Sequence, residues 1–205
     1  MLTLYYSPHS CSLAPYIALE EAGAKFEPYR VNFSAGEQNS SKYKALNPKG
    51  RVPALATDHG VLSENVAILS YIAQQFPAAT LAPTAPFAFA QMQAFNAYLS
   101  STVHPNHSHK GRGYRWSDDP AVQEALKIKV PQNMADCFAI IESQYLQGPW
   151  VFGDHFTVAD AYLLTISNWL ESDGVDVTKF PKILAHRKAM MARPAVAKAV
   201  AAHNS

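Results

Sequence analysis

The chain has 205 residues, of which 48% are hydrophobic and 16% charged, so it can build a core and does not read as disordered. Seventeen Lys and Arg face sixteen Asp and Glu, a formal net charge of +1, with no basic excess of the kind a nucleic-acid partner needs. Two cysteines, Cys11 and Cys137, make no disulfide framework and suit a reducing cytoplasm. No apolar run approaches the roughly 20 residues of a membrane span. The N-terminal MLTLYYSPHS lacks a positive n-region and does not read as a signal peptide.

Leu2–Tyr6 is short, apolar and aromatic, and the turn chemistry of Ser7-Pro8-His9-Ser10 closes it, which predicts a strand. Cys11–Ala22 has helical apolar spacing and ends at Gly23. Phe26–Val31 alternates as a second strand. The polar stretch 34–50 has room for one short helix before Asn47-Pro48-Lys49-Gly50. Ala54–Thr57 and Val61–Leu62 flank Asp58-His59-Gly60, a loop tight enough to require an antiparallel hairpin. Ser63 is positioned to cap a helix carrying Val66 to Ile72. The resulting β-α-β-α-β-β-α order is that of a thioredoxin-type layer.

Residues 77–86 hold three prolines in ten and read as a linker. Beyond it the patterns are helical: Phe87–Val103, Ala121–Leu146 after Asp118-Asp119-Pro120, Thr157–Leu170, Ile183–Met191 and Ala195–His203. The expected division is residues 1–78, a linker at 79–87, and an all-helical part at 88–205.

Cys11 lies where a strand gives way to a helix, and unsatisfied N–H groups with the helix dipole favour a thiolate there. Cys11-Ser12-Leu13-Ala14 has the form of a CxxC motif without its second cysteine, so such a thiolate would pair with an outside thiol. A small buried apolar role is the alternative. Pro53 suits the first position of a strand, and a cis bond would present the Val52 backbone to a peptide-like ligand. Ser63-Glu64-Asn65 opens a helix that could grip a carboxylate and an ammonium together, or simply cap itself. His104, His107 and His109 fall in HPNHSHKGRGYRW, read as a polar loop lining a cleft. Pro105 and Gly111 break ligand spacing, so no metal site is expected. Thr157-Val158-Ala159-Asp160 reads as a capping box, and Cys137 as core.

The segments YYSPHSCSLAPYIALEE, NPKGRVPAL, LSENVAILSYIAQ and FGDHFTVADAYL, in this order, resemble a cytosolic glutathione S-transferase, most closely of the bacterial beta class. The resemblance implies an α/β thioredoxin-like N-terminal domain, an all-α C-terminal domain and a homodimer. It implies glutathione as co-substrate, with no other cofactor, and transfer to a small apolar electrophile. Thiol–disulfide exchange through Cys11, and a non-catalytic carrier of apolar ligands, are the alternatives. By that likeness Cys11, with Ser10 as a neighbour able to share the contact, meets the glutathione sulfur. Val52 and Pro53 pair with the cysteinyl backbone, Glu64 and Asn65 hold the γ-glutamyl end, and Lys49 lies near the glycine end. His104 reaches the site from the helical domain, and Tyr114, Trp116 and Trp169 wall the second substrate. Asn65 stands where Ser or Gly is more usual, and Pro105 where a basic residue is common.

Overall fold

The computed structural model describes residues 1–204. Strands β1 (Leu2–Tyr6), β2 (Phe26–Arg30), β3 (Ala54–Thr57) and β4 (Gly60–Ser63) form one sheet in the order β2-β1-β3-β4. β1 runs parallel to β2 and antiparallel to β3, and β3 pairs antiparallel with β4 through the expected hairpin. Pro28 is tolerated because β2 is an edge strand, with no ladder bond required on its outer side. Helices α1 (Leu13–Glu21), α2 (Ser41–Leu46) and α3 (Asn65–Gln75) complete the layer. Its thioredoxin-like topology is the one expected.

The helical part comprises α4 (Pro86–Tyr98), α5 (His104–Arg112), α6 (Pro120–Ile140), α7 (Val158–Ser167), α8 (Pro181–Met191) and α9 (Pro194–Asn204). The proline-rich connection is docked: Leu81 is buried, and its carbonyl accepts from the Val158 N–H at 2.9 Å. α1 and α7 are buried on nearly every side, as apolar helices without a polar face must be. α1 packs against α3, α7 and α9, which joins the sheet layer to the bundle. Cys137 is buried in that core.

The capping box is present, and it is larger than its motif. The Asp160 carboxylate accepts from the Thr157 N–H and from the Val151 N–H, both at 2.8 Å, and faces His186 Nε2 at 3.1 Å. Asp160 is fully buried, so these donors replace its water.

Two helix starts differ from expectation. α1 begins at Leu13, not Cys11, because serine hydroxyls compete for the preceding backbone. Ser12 Oγ accepts from the Ser7 N–H at 3.2 Å, and Ser10 Oγ donates to the Ser7 carbonyl at 2.7 Å. α3 is not capped by Ser63; its cap position is Glu64, at φ +73° and with no side-chain cap bond.

The polar loop read at 104–116 is the third correction, since most of it is helix α5. A π-helical turn over Leu99–Val103 joins α4 to α5. Pro105 lacks the N–H that an α-helix would direct at Ser101, so the ladder shifts register there instead of breaking.

Candidate active site

A cleft of about 960 Å³ opens between the sheet layer and the helical part. All the candidate residues line it: Ser10, Cys11, Lys49, Val52, Pro53, Glu64, Asn65, His104, Tyr114, Trp116 and Trp169. The fold thus brings every residue assigned from sequence to one cleft; several of their interactions differ from those expected.

Cys11 sits in the turn before α1, half-buried, with its thiol 3.5 Å from the Val52 carbonyl. The expected thiolate is not favoured in this ligand-free arrangement. Burial pushes the thiol up to about 11, against the opposing pull of the Arg112 charge. Desolvation outweighs that charge together with the smaller stabilisation from the Cys11 backbone and the Asn65 amide, and the Glu64 carboxylate adds to the rise.

Ser10 is committed elsewhere. Its proton goes to the Ser7 carbonyl, and its oxygen lies 2.6 Å from Ser12 Oγ. Ser12 Oγ in turn lies 3.0 Å from Nε2 of the buried His203, on α9. In this ligand-free arrangement the Ser10 proton is therefore directed away from the Cys11 sulfur. The same network ties the Cys11 turn to the far end of the chain.

The Val52–Pro53 peptide is cis. Among the described residues no group accepts from the Val52 N–H, so a backbone donor faces the cleft beside Cys11. Tyr43 Oη and Asn47 Nδ2 each donate to the Arg51 carbonyl at 2.8 Å and fix this turn. Gly50, at φ +61°, belongs to it; a Cβ there would come within 2.9 Å of the Gln38 carbonyl oxygen.

Glu64 and Lys49, assigned to opposite ends of a tripeptide, meet instead. Lys49 Nζ lies 2.6 Å from Glu64 Oε1 and donates to Ser63 Oγ at 2.9 Å. Asn65 makes a contact the sequence did not indicate. It is buried, and its amide donates to the Cys11 carbonyl at 3.0 Å rather than pointing outward.

His104 lies beside Trp169, with ring centroids 5.0 Å apart. Burial, then the charges of His107 and nearby arginines, push it down to about 3, so its imidazole is neutral near pH 7. His107 stacks on Trp169 at 4.1 Å and sets Nδ1 2.7 Å from the buried Asp173 carboxylate. Tyr114 and Trp116 are largely exposed at the rim.

Residues 1–74 match the glutathione S-transferase N-terminal domain, and residues 92–194 the glutathione S-transferase C-terminal domain. The chain is 31% identical to "Glutathione S-transferase GstA" of Escherichia coli O157:H7, over 98% of each chain. The chain belongs to the glutathione S-transferase family. It is also 31% identical to a maleylacetoacetate isomerase of Pseudomonas aeruginosa, over 95% of this chain and 92% of that one. A crystal structure of a glutathione transferase homologue from Sulfitobacter with bound glutathione superposes with a TM-score of 0.94 at 46% identity, covering 97% of this chain and 96% of that one.

In this transferase several cleft residues lay outside the sequence assignments. Tyr162, on α7, is buried and lines the cleft with Asn65 and Cys11, and burial raises its pKa. Arg51, Arg112 and Arg115 also line the wall. A signal for part of this set existed: positions 104, 107, 108, 111, 112 and 115 share a face at helical spacing. Among the described residues, no group of three His, Cys, Asp or Glu is placed to hold a metal, and no helix is long and apolar enough to cross a membrane.

Proposed function

We propose that this protein is a beta-class glutathione transferase, joining glutathione to a small electrophile. The observation that carries this reading is the presence of three features in one cleft. These are the Cys11 thiol, the free Val52 N–H beside it, and the Glu64 carboxylate at the start of α3. A tripeptide spanning the three would direct its sulfur at Cys11, its cysteinyl backbone at Val52 and its ammonium at Glu64. To engage Glu64, the ligand's ammonium would replace Lys49, which would then be free for a ligand carboxylate.

Because the Cys11 thiol keeps its proton at neutral pH, its role is to donate an S–H hydrogen bond to the glutathione sulfur. That bond and the Arg112 charge favour the glutathione thiolate, which then attacks the electrophile. His104, as a neutral imidazole, hydrogen-bonds within the site without adding charge. Asn65 and Tyr162 position the Cys11 turn. The raised thiol disfavours mixed-disulfide exchange as the main activity, since the attacking species there is the thiolate.

The homodimer and the cytoplasmic setting belong to the same reading; Phe87, 76% exposed on α4, is an apolar residue that an interface would cover. Glutathione titration calorimetry, together with turnover of 1-chloro-2,4-dinitrobenzene, tests the proposal. Glu64→Ala is expected to weaken glutathione binding at least tenfold. Unchanged binding in that variant, or no binding by the unaltered protein, would overturn the reading.

A further inference from the structure

The charge balance of the cleft is lopsided. Its lining includes four permanent cations, Lys49, Arg51, Arg112 and Arg115, and one carboxylate, Glu64. Lys49 and Glu64 neutralise each other. Among the described residues, no carboxylate lies within ion-pair distance of the three arginines. Arg115 and Arg51 act electrostatically on Arg112, and the three arginines add a smaller push to the burial that keeps His104 neutral.

Clustered guanidinium groups without a counter-charge repel one another, and a cleft wall focuses their field. Arg112, at the end of α5, and Arg115, just beyond it, project from one wall, while Arg51 comes from the turn before Pro53. The stacked rings of Trp169 and His107 line the same cleft and offer a flat face, with the His107 Nδ1 turned to the buried Asp173 carboxylate. Glutathione as its thiolate carries two carboxylates, one ammonium and one thiolate, a net charge of minus two. Set against the lining's net of plus three, it leaves one positive charge uncompensated.

We propose that the second substrate is an anionic electrophile: a planar, conjugated molecule bearing one carboxylate, held by Arg112 and Arg115 with Arg51 opposite, its body stacked on Trp169 and His107. The inference rests on the glutathione-transfer reading and names its substrate class. It differs from the small apolar electrophile expected from sequence by that one charge. A guanidinium suits the task because its planar fork pairs with a carboxylate through two parallel hydrogen bonds.

The test uses 4-chloro-3,5-dinitrobenzoate and its methyl ester, which differ in the one charge. In both, the glutathione thiolate forms a C–S bond at the chlorinated carbon, the C–Cl bond breaks, and chloride leaves with the electron pair. Each kcat/KM is divided by the uncatalysed rate constant with glutathione, which removes the intrinsic difference in reactivity. The unaltered protein is expected to favour the acid at least tenfold, and the preference to fall about tenfold in Arg115→Gln and in Arg112→Gln. An ester handled as well as the acid overturns the proposal. So does a pair of variants that lose glutathione affinity while keeping the acid preference, since the arginines would then serve glutathione.

A second measurement on the unaltered protein needs neither turnover nor a folded variant. The two S-aryl glutathione products are titrated by tryptophan fluorescence at low and high salt. The acid product should bind at least tenfold more tightly, with an advantage that shrinks as salt rises. Equal affinities overturn the anionic-substrate proposal even where glutathione binds and the ester turns over. Absence of all glutathione binding and transfer overturns instead the reading on which it rests.

Discussion

Cys11 offers the sharpest quantitative expectation, because its environment opposes what its motif suggests. Burial raises its thiol from an ordinary 9.0 to about 11. Between pH 7 and 8 this cuts the thiolate fraction about a hundredfold relative to an unperturbed thiol. A more basic thiolate is also more nucleophilic, and a Brønsted slope of about 0.4–0.5 returns a factor of roughly 6–10. The net expectation is alkylation on the order of tenfold slower than for a small-molecule thiol, rising with pH up to about 11. Cys11 is half-buried, so a compact reagent can reach it, whereas Cys137 is buried and serves as the internal comparison. The assay is iodoacetamide labelling at fixed pH values, with each cysteine followed by peptide mass spectrometry. A rate for Cys11 that reaches its plateau below pH 8 would refute the desolvation argument. It would also restore thiol–disulfide exchange as a leading activity.

Three further expectations concern stability. Asp160→Ala should cost about 3–5 kcal/mol in urea unfolding, because it strands two backbone donors and His186 in the core; a loss under 1 kcal/mol would contradict that account. His203 is fully buried and held down to about 4, so below pH 6.5 the unfolded chain takes up a proton that the native chain refuses. Stability therefore falls as pH drops from 6.5 toward 4, by about 2 kcal/mol at pH 5 from this group. Urea melts at pH 7 and pH 5 should show the loss, and His203→Gln should reduce the difference between them. Glu64 holds φ +73°, so Glu64→Gly should raise stability by about 1 kcal/mol while weakening glutathione binding. A calorimetric melt and a glutathione titration on the same sample check both halves, and a lower melting temperature would speak against stored backbone strain.

The sheet layer was legible because its signals are local. Short alternating runs bounded by Ser7-Pro8, Gly23 and Asp58-His59-Gly60 leave little choice of strand or turn, and the 157–160 capping box marks α7 without help from the rest of the chain. Helix α5 was hidden by Pro105 and Gly111, which look like breakers. Proline is nevertheless welcome in a first helical turn, and one glycine costs only about 1 kcal/mol. Losing that helix also hid the phase that carries His104, Arg112 and Arg115 to a common wall. The Ser10 network was hidden for a different reason: its hydroxyl direction depends on Ser12 and on His203, 191 residues further along than Ser12. The Lys49–Glu64 pair likewise forms across 15 residues and two strands, where nothing in either local motif records the partner.

The central claim is that the cleft orders glutathione along Cys11, Val52 and Glu64. A crystal structure of the protein soaked with glutathione tests it most directly. The account predicts the tripeptide sulfur within hydrogen-bonding reach of the Cys11 thiol, its cysteinyl backbone accepting from the Val52 N–H, and its ammonium on Glu64 in place of Lys49. Glutathione bound with its sulfur on another residue, or with the Lys49–Glu64 pair still closed beneath it, would contradict the account.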